Sequence, residues 1–111
     1  MLAVKASIII PTKNGQQYLE EVLAMVFAQK ADFEYEVVCV DSGSKDKTLE
    51  IIKKSPQIKL YQIPPQEFGH GRTRNLAVSK AGREYFVFLA QDAIPADENW
   101  LANMIEPFEK D

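Results

Sequence analysis

The chain has 111 residues, of which 46% are hydrophobic and 26% are charged, and its formal net charge is −3. This length suits one small domain, and the mildly acidic balance argues against a nucleic-acid-binding protein, which is usually basic. No apolar run approaches the roughly 20 residues of a membrane-spanning helix, and the first residues do not have the pattern of a signal peptide.

The first third of the chain predicts a strand, a helix and a second strand. Residues 4–10 form a nearly continuous apolar run, which is typical of a parallel strand covered on both faces. Apolar residues recur at helical spacing over residues 15–29, and Asn14, followed three residues later by a glutamine, resembles a capping box. Residues 35–40 form another apolar run, in which Cys39 is expected to be a small core residue.

The middle of the chain predicts a short helix and an edge strand. Residues 46–54 have helical spacing, with Ser44 as the expected N-cap and Asp46 placed favourably near the positive end of the helix. Residues 58–63 alternate more strongly in polarity and precede Pro64, which favours an edge strand.

The last part of the chain predicts two helices around a fourth strand. Residues 70–81 form the first of these helices, and Gly82 is expected to end it. Residues 84–90 form an apolar strand whose aromatic side chains are expected in the core. Asp97 is expected to cap the final helix. The apolar residues expected to pack from that helix are Trp100, Leu101, Met104 and Ile105.

The order β-α-β-α-β-α-β-α predicts the fold class. It indicates an α/β fold with an open, mostly parallel sheet, right-handed crossovers and helices on both faces. In such sheets ligands bind at the carboxyl ends of the strands, near the point where the strand order reverses. Polar loop residues follow three of the predicted strands, as PTKNG, DSGSKDKT and QDAIPAD.

Two of the polar segments each have two interpretations. In residues 41–48, Asp41 and Ser42 could bind the base or ribose of a nucleotide, but the same composition is typical of a capped turn that binds nothing. Arg72 and Arg74, at the start of the third helix, suit a phosphate group. They are equally typical of a solvated basic helix start.

The pair Gln91-Asp92 ends a strand that is predicted to be central. A carboxylate there does not favour stability, but it lies where a ligand cleft would begin. Mg²⁺ and Mn²⁺ prefer oxygen ligands and often take only one or two carboxylates, together with phosphate oxygens and water. Asp92 is therefore a candidate metal ligand. Asp97 is a weaker candidate, because a helix cap already explains it.

The strand-end motifs, in this order, resemble those of the family 2 glycosyltransferases, whose nucleotide-binding half has the GT-A fold. The resemblance covers residues 5–108. SIIIPTKNG is similar to the first strand and loop of the family, and VVCVDSGSKDKT to the second strand and turn. TRNLAVSKAGREYFVFLAQDAIP is similar to the helix and strand that carry the metal motif, and FGHGRTRN is especially similar to bacterial rhamnosyltransferase-type members.

The resemblance implies a set of site residues. The implied donor-binding residues are Pro11, Thr12, Asn14, Asp41, Ser42, Arg72, Arg74 and Gln91. Asp41 would contact the base, and Arg74 would approach the nucleotide or its diphosphate. Asp92 would match the second aspartate of the Asp-x-Asp motif and bind a divalent cation, Mg²⁺ or Mn²⁺. Ala90 stands where the first aspartate usually lies, so this metal site has fewer carboxylates than the common pattern.

The implied activity is transfer of a sugar, with inversion, from a UDP- or dTDP-sugar to a hydroxyl group of a glycan or lipid-linked acceptor. The process would be the synthesis of a bacterial polysaccharide or cell-surface glycan. Residues 1–111 would form a single domain, the nucleotide-sugar-binding half, without the acceptor-binding half and its general base. Such a chain could bind the donor without catalysing transfer, and a dimer could cover an apolar face left bare.

Two other functions fit parts of the pattern. One is a non-catalytic nucleotide-binding or interaction module that keeps the same fold. The other is a sugar nucleotidyltransferase, although the glycine-rich, lysine-bearing loop typical of that class does not follow the first strand. The single cysteine fits a reducing compartment, so we expect a cytoplasmic protein. An alternative is a protein bound peripherally at the inner face of the membrane.

Overall fold

The computed structural model describes residues 4–67, 69–81 and 84–109. Strands and helices alternate in the predicted order. The strands are β1 (Val4–Thr12), β2 (Glu34–Asp41), β3 (Lys59–Gln62) and β4 (Tyr85–Phe88), and the helices are α1 (Gln16–Phe27), α2 (Thr48–Lys53), α3 (His70–Ala81) and α4 (Trp100–Glu109). One 3₁₀ turn, Pro65–Glu67, precedes α3. The predicted helix end at Gly82 lies outside the described residues.

The four strands form one parallel sheet in the order β3-β2-β1-β4. The chain moves outward from β1 through β2 to β3 and then returns to place β4 on the other side of β1. The strand order therefore reverses between β1 and β4, which is where open α/β sheets bind their ligands. The prediction of a parallel sheet is confirmed, as is the edge position of β3.

The core lies on both faces of the sheet because helices cover both. One face packs against α1, α2 and α4 through fully or nearly fully buried side chains, among them Ile8, Ile10, Leu19, Val22, Ile52 and Leu101. The other face is smaller. There Ile9, Val38 and Val40 are buried beneath half-buried Leu76 and Val78 of α3. The predicted helices on both faces are confirmed.

Two details of the predicted core are wrong. Among the four described strands β4 lies at an edge and not at the centre, so it has one neighbour. Tyr85, Phe86 and Phe88 pack against the core as predicted, but they are only half-buried. On α4, Leu101 and Ile105 face the core, whereas Met104 remains 47% exposed. No helix in the described part of the chain is both long and apolar enough to cross a membrane.

Cys39 provides a test of the core. Burial among apolar side chains, with a smaller contribution from the negative charge of Asp41, raises the pKa of its thiol to about 12. We expect the native chain to react with a thiol reagent at pH 8 about 1000-fold more slowly than the urea-unfolded chain, because the thiolate is the reactive form. Absorbance after mixing with a chromogenic disulfide reagent measures both rates. Fast labelling of the folded chain would contradict this placement.

Candidate functional site

A cavity of about 590 Å³ opens where the strand order reverses, between the carboxyl ends of β1 and β4. One wall comes from the end of β1 and the loop after it, and a second from β4 and the loop after it. The first turn of α3 forms the third. The polar or backbone-exposing residues that line the cavity are Thr12, Lys13, Gly71, Thr73, Gln91 and Asp92. Three predicted site residues besides Pro11 therefore meet at one cavity: Thr12, Gln91 and Asp92.

Asp41 ends β2 directly beside Thr12, to which the register of the two strands pairs it. Its side chain points inward and is 1% exposed. The Thr12 hydroxyl donates to Oδ1 at 2.7 Å, and the Ser44 hydroxyl donates to the same oxygen at 2.5 Å. The backbone N–H groups of Gly43 and Ser44 donate to Oδ2 at 3.1 and 2.9 Å. The carboxylate therefore fixes the loop after β2 and orients the Thr12 side chain.

The loops after β1 and β2 bind each other through side chains. Three consecutive backbone N–H groups at the start of α1 donate to this second loop and the start of α2. Asn14 donates to Ser44 Oγ at 2.9 Å, Gly15 to Thr48 Oγ1 at 2.8 Å, and Gln16 to Asp46 Oδ2 at 3.2 Å. In return, the backbone N–H of Lys45 donates to Asn14 Oδ1 at 2.8 Å. The N–H groups of Gly15 and of Gln16, the first residue of α1, are thus already bonded to the neighbouring loop and are not free for an anion.

The N-caps predicted for α1 and α2 are wrong, because Asn14 and Ser44 form hydrogen bonds between the two loops. Gly15, and not Asn14, precedes the first turn of α1, and Asn14 takes a positive φ of 48°. Lys47, and not Ser44, precedes α2, and neither helix has a side-chain cap from its own N-cap residue. Asp97 accepts a hydrogen bond from the backbone N–H of Asn99 at 2.9 Å, so it orders the turn just before α4.

Asp46 serves both crossover helices. Besides Gln16 it accepts hydrogen bonds from the backbone N–H of Thr48 at 2.9 Å and from the Thr48 hydroxyl at 2.5 Å. Partial desolvation alone would raise the pKa of the Asp46 carboxyl. The hydrogen bonds from Thr48 and Gln16 outweigh it, so the pKa lies below its ordinary value of 3.8.

A lowered pKa in the folded state makes the stabilisation by Asp46 depend on pH. It is present above the unfolded-state pKa and is lost as the pH falls through the lowered folded-state pKa. We expect Asp46→Asn, which keeps the acceptor oxygen without the charge, to lower the urea midpoint at pH 6. The difference from the unsubstituted chain should shrink as the pH falls below 3.8. A difference that stays constant down to pH 3 would show that the charge does not matter.

Gln91 joins the loop after β4 to the loop after β1. The backbone N–H of Lys13 donates to Gln91 Oε1 at 2.8 Å, and Gln91 Nε2 donates to the Lys13 carbonyl at 2.9 Å. The carboxamide lies so close to Gly15 that a Cβ at that position would overlap it. Gln91 was predicted to bind a donor, and in this structure both of its polar atoms hold the Lys13 backbone. The next residue, Asp92, is thereby positioned at the edge of the cavity.

Lys13 was not singled out from the sequence. Its ammonium group donates to the carbonyl oxygens of Ser42 and Gly43 at 3.1 and 3.0 Å, and the residue also lines the cavity. The sequence did contain a signal for Lys13, because it lies between Thr12 and Asn14, which were both predicted to bind the donor. Ser42 is 3% exposed, and its backbone N–H donates to the Thr12 carbonyl at 3.1 Å. Asn14, Asp41 and Ser42 therefore belong to the loop network beside the cavity.

The two predicted arginines lie on α3. The side chain of Arg72 is exposed, and the side chain of Arg74 lies outside the part of the chain that the structure describes. Thr73, between them, is 3% exposed and lines the cavity. The first turn of α3 thus contributes to the cavity through Gly71 and Thr73, neither of which was predicted as a site residue.

The carboxylate at the cavity edge is that of Asp92, which is exposed. Within residues 4–67, 69–81 and 84–109, no three side chains of His, Cys, Asp or Glu are grouped as metal ligands. Magnesium and manganese sites often use one or two carboxylates and complete the shell with phosphate oxygens and water. Asp92 could therefore supply one ligand to such a cation, with the other ligands coming from a bound molecule and water.

Comparison with known proteins gives a consistent family. The model of glycosyl transferase family 2 matches residues 7–111. The O-antigen chain rhamnosyltransferase RfbN of Salmonella typhimurium is 36% identical over 106 residues, which cover 95% of this chain and 33% of RfbN.

Two solved structures extend the comparison. Staphylococcus aureus TarS 1–349 in complex with UDP-GlcNAc matches with a TM-score of 0.83 and 32% identity, covering 96% of this chain and 32% of that one. The mannosyltransferase PcManGT from Pyrobaculum calidifontis, in complex with GDP-Man and Mn²⁺, matches with a TM-score of 0.76 and 28% identity, covering 95% and 34%. The chain thus spans about a third of the length of each of these relatives.

Proposed function

The chain belongs to glycosyl transferase family 2, and we propose that it is the donor-binding part of an enzyme that transfers a sugar from a nucleoside-diphosphate sugar to a hydroxyl group. The observation that carries the proposal is the cavity of about 590 Å³ at the reversal of strand order, with Asp92 at its edge. Ligands of open α/β sheets bind at this position. The proposed process is the synthesis of a bacterial surface polysaccharide, since relatives include an O-antigen rhamnosyltransferase and a poly(ribitol-phosphate) β-N-acetylglucosaminyltransferase.

The nucleotide is proposed to lie against the end of β1, where Pro11 and Thr12 form the wall. The Thr12 side chain is oriented without a ligand, because its hydroxyl already donates to Asp41. The Asp41 carboxylate has four internal hydrogen bonds, so a direct contact with the base would require it to exchange one of them. We therefore propose that Asp41 affects donor binding mainly by holding these loops in position.

The diphosphate is proposed to lie near Asp92. When bound, a Mg²⁺ or Mn²⁺ ion held by this carboxylate would offset the negative charge that grows on the departing diphosphate. Gln91 supports this arrangement, because its carboxamide bonds to the backbone of Lys13 and so fixes the loop that carries Asp92. Arg72 places a further positive charge on the exposed surface of the first turn of α3.

Removal of the acceptor proton needs a general base. Among the described residues that line the cavity, Asp92 carries the carboxylate, and the proposal uses it for the cation. We therefore assign the base, together with the acceptor site, to the part of the longer relatives that this chain does not span. On this basis the chain binds the donor and does not complete the transfer by itself.

Calorimetric titration of the 111-residue chain tests the proposal. We would use UDP-GlcNAc, dTDP-rhamnose and GDP-mannose, each with Mn²⁺ and with EDTA. At least one donor should bind, and the affinity should be about tenfold or more higher with Mn²⁺, in line with the usual effect of a metal-site group. The free sugars are the matched control and should not bind. If circular dichroism shows that the chain is folded and calorimetry shows that it binds none of the three donors, the proposal is wrong.

A further inference from the structure

Gly71 lies in the first turn of α3 and forms part of the cavity wall. A glycine in a helix costs stability, since alanine is the better helix former and restricts the unfolded chain more. Its presence therefore calls for a reason in the backbone, in the packing or in a ligand.

Neither the backbone nor the packing of the described residues supplies a reason. Gly71 does not have a φ in the left-handed region, and a Cβ added to it would meet no atom of the described residues within 4 Å, apart from its chain neighbours and the backbone of its own helix. Two other glycines show what an internal reason looks like. Gly43 has a φ of +88°, and a Cβ on it would lie 2.5 Å from Pro65 Cγ. A Cβ on Gly15 would overlap the Gln91 carboxamide.

The space in front of Gly71 is the cavity itself. Thr73 from the same turn lines it, and Asp92 stands at its edge. Because Gly71 lines the cavity and no atom of the described residues stands within 4 Å of an added Cβ, a side chain there has room to extend into the cavity. Glycine at such a wall permits a ligand to approach the backbone closely.

We propose that Gly71 is a specificity-determining residue at which the nucleoside-diphosphate sugar passes directly against the backbone of α3, so that any side chain there narrows the donor site. This inference rests on the proposed function. It predicts that a larger residue leaves the fold intact and excludes the donor in proportion to its size.

The test compares Gly71→Ala and Gly71→Leu with Gly69→Ala and Gly69→Leu. Gly69 is a matched control, because it lies two residues away, does not line the cavity, and a Cβ on it would make only an ordinary contact of 3.8 Å with Arg72 Cβ. The probes are UDP-GlcNAc, dTDP-rhamnose and GDP-mannose with Mn²⁺, and thermal unfolding is recorded for every variant.

We expect Gly71→Ala to weaken binding of the donor about tenfold and Gly71→Leu about a hundredfold, as for overpacking of a close contact. The melting temperature of Gly71→Ala should equal or exceed that of the unsubstituted chain. Both Gly69 variants should bind as the unsubstituted chain does. Unchanged affinity of the two Gly71 variants would overturn this inference and leave the proposed function standing. No binding of any probe to the unsubstituted chain would overturn both.

Discussion

Replacing Asp41 by alanine is expected to lower the free energy of unfolding by about 3 kcal/mol or more, because a buried donor left without its acceptor costs about 1–3 kcal/mol. The substitution leaves four donors without their acceptor, namely the hydroxyls of Thr12 and Ser44 and the backbone N–H groups of Gly43 and Ser44. A domain of this size is stabilised by only about 5–15 kcal/mol, so the loss is a large fraction of the total. Urea unfolding followed by circular dichroism measures it.

Two variants make this measurement specific. Asp41→Asn keeps one acceptor oxygen and should lose about half as much. Ser42→Ala removes a hydroxyl of the same buried loop whose hydrogen bond to the Thr12 carbonyl is long, at 3.4 Å, and it should cost less than about 1 kcal/mol. If the free energy of unfolding of Asp41→Ala lies within about 1 kcal/mol of that of the unsubstituted chain, the inward-facing carboxylate does not hold the two loops.

Asp92→Asn is expected to remove the effect of Mn²⁺ on donor binding. In the presence of Mn²⁺ the dissociation constant of the donor should rise about 10- to 100-fold, which is the usual loss when a group of a metal site is changed. In EDTA the variant and the unsubstituted chain should bind alike. The urea midpoint should not change, because the Asp92 side chain is exposed. Calorimetry with and without Mn²⁺ measures the change.

Asp97→Asn is the matched control for this result. Asp97 follows Asp92 by five residues and was the weaker metal candidate, but its carboxylate accepts a hydrogen bond from the Asn99 backbone. Asparagine keeps that acceptor, so the response to Mn²⁺ should survive. Loss of the Mn²⁺ effect in Asp97→Asn, with Asp92→Asn unaffected, would place the cation at Asp97, which does not line the cavity, and would contradict the assignment to Asp92.

The sequence predicts the strands, the helices and the end of the sheet where the cavity lies. Continuous apolar runs indicate parallel strands, and their alternation with amphipathic helices requires crossovers. Because parallel strands end at the same edge, the polar residues after three runs had to gather there. The spatial order of the strands is not encoded in this local pattern, and β4 was therefore expected at the centre although it lies at an edge of the four described strands.

The caps show why local reasoning fails at the loops. The expected partners of Asn14 and Ser44 lay within three residues, as capping motifs usually require. Asn14 and Gln16 instead bond about 30 residues away, where Ser44 accepts from the Asn14 backbone and Asp46 accepts from the Gln16 backbone, while Ser44 also donates back to Asp41. Only the pairing of β1 with β2 brings these segments together.

Gln91 illustrates the same limit over a longer separation. Its carboxamide bonds to the Lys13 backbone across 78 residues, because β4 pairs with β1. The resemblance implies Gln91 as a donor-binding residue, and no local pattern in the sequence indicates its bonds to Lys13. The two reciprocal hydrogen bonds, and the close approach to Gly15, show that its side chain also holds the loop after β1.

The position of β1 between β2 and β4 also bears on how the chain folds as it is synthesised. The ribosome releases β1 early, but the partner for one of its edges begins only at Tyr85. At about 5–20 residues per second, the 73 residues from Thr12 to Tyr85 (85 − 12) take about 4–15 s to make. Throughout this interval an apolar strand presents an open row of backbone donors and acceptors, which is a template for pairing with other chains. We therefore expect the nascent polypeptide to be more prone to aggregation before β4 emerges than after it.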